Sequence, residues 1–438
     1  MLRAVMMTML VGCTGTLAEA PPSGLIVVSI DTLRVDHVGS FGGREGLTPN
    51  LDALAAESVR FTDAYAAANE TLFSHGALFT GRQASHVAPV DYDFTIPEAQ
   101  PTLASVARKA GWRTGAAVAS GHLARIFGLD VGFDDYVESR YWGSFFQTIP
   151  LATRWLDRHL TAPESTPFLL FVHSYDCHSP YTKPGPLGRL ASPGYQGPML
   201  GVLRDPLLLE KLYRDRYIPS VQMSRLQNRN NQQILAPDIY AQLKQRYEAG
   251  EGTPLTDKDR AFIAGLYDTA IRYADMQLGV LIEALDDRGL LDTATVVVLS
   301  DHGEGLLEHD TFSHRGTLRD AELHVPLLVR PPGGLPDGGR TVDATFSLID
   351  LAPTLLSDAG LPIPQTMEGR DRSDCLRGPC PDDGYAISEA ALDIVSVTDG
   401  THRLLVTDGV ESLYDADDKP VDTPEAAQRL RAILEERL

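Results

Sequence analysis

The sequence predicts an α/β fold built on a parallel sheet, with a smaller α+β piece at the C-terminal end. Three observations carry this. Leu25-Ile26-Val27-Val28-Ser29-Ile30 is a continuous apolar, β-branched run, as in strands buried on both faces. Similar runs at 168–172 and 295–299 alternate with amphipathic helical segments. Beyond residue 384 the pattern shortens to brief strands and one closing helix.

Taken in order, residues 1–12 carry one positive charge, Arg3, then a short apolar run ending Leu10-Val11-Gly12-Cys13. The run is too short to span a bilayer and reads as a signal peptide. The quartet resembles a bacterial lipobox, in which the cysteine is lipidated and becomes the new N-terminus. An ordinary signal cut after Ala18 or Ala20 is the alternative. Either way export is expected; on the lipobox reading the protein is a lipoprotein of the bacterial cell envelope, held to the membrane through Cys13. Residues 14–23 then form a tether.

The folded body is expected over 24–383. Strand 25–30 runs into Asp31-Thr32, and a helix over 49–58 follows with Thr48 as its N-cap. The stretch 69–82, Asn-Glu-Thr-Leu-Phe-Ser-His-Gly-Ala-Leu-Phe-Thr-Gly-Arg, reads as a loop feeding a helix that stops at Gly81. A helix over 102–111 and a strand over 114–119 come next, then a helix over 151–160. Strand 168–172 ends in His173-Ser174-Tyr175-Asp176-Cys177-His178. Residues 179–255, rich in Pro, Gly, Arg, Gln and Asn, are an irregular insertion near the site. A long helix over 257–288 leads to strand 295–299, which ends in Ser300-Asp301-His302-Gly303-Glu304. Strand 325–329 and helix 347–360 complete the body. The C-terminal subdomain, 384–438, holds strands at 385–388, 394–398 and 403–407 and a helix over 424–437.

Hydrophobic residues make up 43% of the 438 and charged residues 22%, a globular balance. The net charge of -21 argues against binding nucleic acid, or an anionic membrane, through the general surface. An anionic substrate therefore needs a locally positive site, for which bound divalent cations are the economical source. Of the four cysteines, Cys375 and Cys380 are close enough in sequence to close a small disulfide loop, and Cys177 has no evident partner.

Three strands run directly into ionisable residues: Ile30 into Asp31, Val172 into Asp176 and His178, Leu299 into Asp301 and His302. Open parallel sheets bind ligands outside the carboxyl ends of their strands. One strand-end aspartate is usually a turn residue, whereas three arrivals at one edge form a pattern. His314 adds a further imidazole a short loop on. Mixed Asp/His ligands suit zinc or manganese better than an all-oxygen calcium cage. Thr71, taken alone, is an N-cap; beside a metal it is a nucleophile at the positive end of a helix dipole.

Val28-Ser29-Ile30-Asp31-Thr32-Leu33-Arg34-Val35-Asp36-His37 and Thr48-Pro49-Asn50-Leu51-Asp52 resemble the N-terminal region of the sulfatase family in the alkaline-phosphatase superfamily. Ser300-Asp301-His302-Gly303-Glu304, His324-Val325-Pro326-Leu327, Asp176-Cys177-His178-Ser179-Pro180-Tyr181, the 267–275 segment and Glu411-Ser412-Leu413-Tyr414-Asp415 are similar to its later blocks. The resemblance implies a large, mostly parallel mixed sheet flanked by helices, a small C-terminal subdomain and a metal-dependent ester-cleaving site. One departure stands out. Where the sulfatase signature has a Cys or Ser that becomes formylglycine, then Pro and Arg, this chain has Thr71, Phe73 and His75. Formylglycine cannot be made from threonine, and threonine is the nucleophile in phosphoryl-transferring relatives.

What the resemblance implies is a hydrolase or transferase acting on a phosphate-type ester (mono-, di- or phosphonate) of a glycan, lipid headgroup or small molecule. Asp31, Asp301 and His302 hold a divalent metal, one ion or two, that also binds Thr71 Oγ1. His178 and His314 complete a second metal site or donate to the leaving oxygen, and Asp176 is a further candidate ligand. His86 contacts the transferred group, while Arg82 braces the Thr71 loop. The alternatives are a true sulfuric ester hydrolase without formylglycine, and a catalytically dead glycan-binding protein. The second fits poorly with a complete set of ligand residues.

Overall fold

The computed structural model describes residues 22–91, 93–161, 166–179, 181, 194–196, 256–308, 312–314, 317–336, 338–381, 384–391 and 394–438. The leader with Cys13, and most of the 179–255 insertion, lie outside the described residues.

Eight strands form one sheet in the order Arg340–Val342, Val59–Phe61, Leu327–Arg330, Ala294–Leu299, Gly24–Ile30, Phe168–Ser174, Arg113–Ser120, Asp135–Tyr141. From Ala294–Leu299 to Asp135–Tyr141 every pairing is parallel. Leu327–Arg330 runs antiparallel to both its neighbours, which makes the sheet mixed.

Side chains alternate across a strand, so the central run feeds two cores. Leu25, Val27, Phe171 and Val297 face one side, where they join Leu72, Leu78, Val106 and Leu355. Ile26, Val28, Ile30, Leu170 and Val298 face the other, against Phe145, Ile149, Trp155, Leu266 and Leu278. The result is a sheet between two helical layers. The long helix Asp257–Asp286 begins with a capping box, Thr256 with Asp259, and buries Phe262, Leu266, Tyr267 and Leu278.

The elements fall close to expectation, with instructive differences. The helix expected at 151–160 starts at Phe145, six residues earlier, and carries Pro150 within it. Ser144 and Gln147 form a capping box there, and the buried stripe Phe145-Ile149-Ala152-Trp155-Leu156 outweighs the hydrogen bond that proline forfeits. Strands Val59–Phe61, Asp135–Tyr141 and Arg340–Val342 were not legible, being short, or polar and exposed along much of their length. Strand 325–329 is displaced to Leu327–Arg330.

The C-terminal subdomain is an antiparallel meander, Ala386–Ala390, Ile394–Thr398, His402–Thr407 and Val410–Asp415. The helix Pro424–Arg437 packs on it through Leu430 against Ile387, Val397 and Leu404. Cys375 and Cys380 are joined in a disulfide, and the Arg340 guanidinium donates to the Cys375 and Gly378 carbonyls, tying that loop to the sheet edge. Cys177 is buried and forms no disulfide among the described residues.

Candidate active site

Register places the site. Ser29 lies opposite His173 on one side and Leu299 on the other, so Asp31, Tyr175 and Asp301, each two residues on, leave the sheet at one edge. The turn after Ile30 is strained: Thr32 has φ 58, unusual for a β-branched residue. It is held by Thr32 N donating to Asp301 Oδ1 (3.3 Å), Leu33 N to Ser300 Oγ (2.8 Å) and Tyr267 Oη to the Thr32 carbonyl (2.6 Å).

Thr71 is the first residue of a wholly buried helix, Thr71–Thr80, closed by Gly81 in the left-handed conformation (φ 61). Glu70 occupies the N-cap position, and no side-chain cap bond is made. The Thr71 hydroxyl turns away from its own helix and donates to Asp31 Oδ2 at 2.9 Å, with His302 Nε2 3.4 Å away. The helix is pinned to the sheet by Ser74 Oγ donating to the Asp301 carbonyl (2.7 Å) and by His75. His75 Nδ1 donates to the Thr71 carbonyl (2.8 Å), which leaves Nε2 to accept from Ser29 Oγ (3.0 Å).

Asp31, Asp301 and His302 are fully buried, and one ligand atom from each lies within 4.8 Å of the others. Asp31 Oδ1 and Asp301 Oδ2 have no hydrogen-bond partner among the described residues. His302 Nδ1 donates to the Gly303 carbonyl at 2.9 Å, which leaves Nε2 for the cluster. Buried carboxylate oxygens without donors are costly unless a cation answers them. Two orphaned oxygens and one oriented imidazole nitrogen fit a divalent cation. Burial raises the Asp31 pKa to about 6 against the opposing pull of His302 and Thr71. Burial and the neighbouring Asp31 push Asp301 upward as well. For His302 burial works downward, but Asp301 and Asp31 outweigh it and raise its pKa.

A second tier of rings lines the approach. The His314 ring centroid is 4.4 Å from that of His302 and 5.2 Å from that of His178. His314 Nδ1 faces Glu304 Oε1 at 3.0 Å, and burial lifts the Glu304 pKa to about 8. His178 Nδ1 donates to the Ser179 carbonyl (2.7 Å), so its Nε2 is the ring's other reactive nitrogen.

The sulfatase family model matches residues 24–361 of this chain. The chain belongs to the sulfatase family. A curated relative, an ulvan-active sulfatase of Formosa agariphila, is 24% identical over 83% of this chain and 67% of its own length. An arylsulfatase of Clostridium perfringens is 24% identical over 80% of this chain and 78% of its own length. Among solved structures, a phosphonate monoester hydrolase of Agrobacterium radiobacter aligns with TM-score 0.69 at 20% identity, covering 94% of each chain. A protein solved with its substrate D-glucosamine-2-N,6-O-disulfate aligns with TM-score 0.67 at 19% identity, over 95% of this chain and 97% of its own. These likenesses establish an alkaline-phosphatase-like fold, and with the family they identify a sulfatase-like ester hydrolase. The sulfatase family generally uses a divalent metal, in keeping with the cluster described above.

In this sulfatase-family protein the structure gathers Asp31, Thr71, Asp301 and His302 in one group, with His314 and His178 stepping outward from it. Asp176 is placed differently. Its Oδ2 accepts from Phe145 N (2.8 Å) and Ser174 Oγ (2.6 Å), anchoring the N-terminus of the helix Phe145–Leu160. His86 faces Glu368 at 2.9 Å, and Arg82 donates to the same carboxylate at 3.0 Å, so both side chains brace the exit of the Thr71 helix.

Sequence reasoning missed four groups. His75, at the position of the family's signature arginine, is buried behind Thr71, and burial lowers its pKa to about 4. His173 Nε2 lies 3.7 Å from Asp31 Oδ2, and burial lowers its pKa to about 3. Tyr175 Oη accepts from His122 N (3.2 Å) and interacts with Thr71; burial holds its pKa well above the usual value, so it stays an O–H donor. Glu304 backs His314. His173 and Tyr175 flank Ser174 at a strand end that had already drawn notice, and counting pleats from Ser29 would have found them.

Proposed function

We propose that this enzyme cleaves phosphate-type esters (mono-, di- or phosphonate) with Thr71 as its nucleophile. The observation that carries the reading is the 2.9 Å hydrogen bond from Thr71 Oγ1 to Asp31 Oδ2 inside the Asp31/Asp301/His302 cluster. Thr71 Oγ1 attacks phosphorus and its proton leaves toward Asp31. The ester P–O bond breaks, with His178 or His314 giving a proton to the departing oxygen. Water then releases the group from Thr71, and the same histidines act as bases in that second half. Tyr175, which interacts with Thr71, fixes the hydroxyl's position throughout. A divalent cation on Asp31, Asp301 and His302 supplies the positive charge that lowers the hydroxyl's pKa and offsets the anionic group. His75 supports a departure from formylglycine chemistry, since it takes the signature arginine's place yet binds the helix backbone.

A sulfate-ester reading is favoured by the names of the two curated relatives, both sulfatases. Nitrophenyl sulfate, phosphate and phosphodiester assayed side by side decide between them. Phosphoester turnover with a phosphorylated Thr71 peptide is expected, and sulfate turnover far above the phosphoesters reverses the ordering. The disulfated glucosamine bound by one structural neighbour supports a glycan substrate here too. We place the enzyme in the cell envelope on a lipidated Cys13. Mass spectrometry of the mature N-terminus tests this, and a free terminus near Pro21 refutes it.

A further inference from the structure

Trp142 stands where no ordinary structural demand puts a tryptophan. It has φ 54, a left-handed conformation that suits glycine, and its side chain is large and 44% exposed. Such a backbone is strained, and the indole packs one part of its surface on His178 and Tyr175 while leaving the rest in solvent. The conformation is nevertheless enforced. Gly143 follows in a turn so tight that a Cβ there would lie 2.4 Å from Ser139 Oγ, and the Gly143 carbonyl accepts from Tyr175 N at 3.0 Å.

The ring it presents is wired to the reaction centre. The Trp142 centroid is 4.4 Å from His178 and 4.7 Å from Tyr175. Tyr175 interacts with Thr71 itself, so one side chain separates the indole from the nucleophile. Tyr141, 63% exposed, lies 5.3 Å beyond, and His122 lies 6.1 Å away at the rim. The interplanar angles to these four neighbours run from 39° to 87°, so among the described residues none stacks parallel on the indole. A flat aromatic face bounded by imidazoles and tyrosines is complementary to a ring with apolar C–H faces and a hydroxylated edge. A lipid chain would want a continuous apolar groove instead.

We infer that Trp142 is the stacking platform for the sugar ring that carries the scissile ester, seating a pyranose with its ester group directed past His178 toward Thr71. The inference rests on reading Thr71 and its neighbours as the reaction centre, whichever ester is cleaved. It makes Trp142 a specificity residue of the leaving-group side.

The test uses the full enzyme and two independent readouts. Trp112 and Trp155, the other two tryptophans, are buried, so fluorescence quenching by acrylamide reports Trp142. Methyl glucopyranoside and N-acetylglucosamine, which carry no ester, should shield it saturably, and Trp142→Phe should remove that signal. Separately, kcat/KM is compared for glucosamine 6-phosphate and 6-sulfate against methyl phosphate and methyl sulfate. Trp142→Ala should cut the preference for the sugar ester by about tenfold to a hundredfold, the scale of ring-on-aromatic stacking. Trp142→Phe should restore part of it. Equal losses on ring-bearing and ringless esters, or no shielding by either sugar, overturn the proposal. If neither ester is turned over but the sugars still shield Trp142, the reading of the reaction centre falls and the platform stands.

Discussion

Replacing Thr71 separates its proposed role as nucleophile from the other roles the residue plays. Thr71 is 1% exposed, and its hydroxyl donates to a carboxylate at 2.9 Å. A hydrogen bond to a charged acceptor contributes about 1.5–3 kcal/mol, and the lost methyl about 0.8 kcal/mol more. No cap bond enters, since the helix start uses no side-chain cap. Thr71→Ala should therefore lower stability by about 2–4 kcal/mol in a urea melt, more than a surface cap would, and leave a folded protein. Turnover should fall by at least about 10³-fold, because the covalent route is gone. Thr71→Ser keeps the hydroxyl and loses only the methyl, so it should cost about 1 kcal/mol and retain measurable kcat/KM. Thr71→Cys should not yield an efficient sulfatase, because Phe73 and His75 stand where the maturation signature needs Pro and Arg. Melts, steady-state kinetics and peptide mass spectrometry after a substrate pulse read all three. If Thr71→Ala hydrolyses phosphoesters within about tenfold of wild type, water is the nucleophile and the argument from the Thr71–Asp31 contact is wrong.

Three further outcomes are expected. Chelation should lower the melting temperature, because Asp31 Oδ1 and Asp301 Oδ2 then lack a counter-charge; zinc or manganese at a hundred times Kd should return about 2.7 kcal/mol, and a melt indifferent to both would speak for a binding-only protein. Burial opposes charge on His324, but Asp320 at 3.4 Å and the Thr62 carbonyl at 2.6 Å raise its pKa above the usual value. Its contribution is thus fully present below about pH 6.5 and lost as pH rises through the raised pKa, and His324→Gln should flatten that part of the stability–pH curve. Gly76→Ala would put a Cβ 2.5 Å from the Phe94 ring on the helix that carries Thr71; about 1–3 kcal/mol of overpacking should outweigh the roughly 1 kcal/mol gain in helix propensity, and a more stable variant would refute that balance.

Most of the sheet was legible because its central strands are uninterrupted apolar runs, which no helix or loop of that length explains as well. The edges were not. Asp135–Tyr141 reads Asp-Tyr-Val-Glu-Ser-Arg-Tyr and becomes a strand only because Arg113–Ser120 offers it a partner. The Asp31/Asp301/His302 cluster was legible because its members follow strand ends. Asp176 shared that signature but went to a helix N-terminus, a competition between two uses of one carboxylate that chain order cannot resolve. Tyr175 and His173 were passed over for the opposite reason: an aromatic and an imidazole at the end of a buried strand look like core, although the strand's pleat puts them beside Ser29 and Asp31. Trp142 left no trace at all, since its character lies in a backbone angle.

The segment Thr71–Thr80 has every one of its ten residues buried. Once the chain has folded, no second enzyme can lay hold of it. A family that installs its reactive group by modifying a side chain must therefore act before this helix closes, or forgo modification. A threonine that already bears its hydroxyl at translation forgoes it. On the reading of Thr71 as nucleophile, the reactive group itself needs no modifying enzyme, and the site should be equally competent from hosts with and without one.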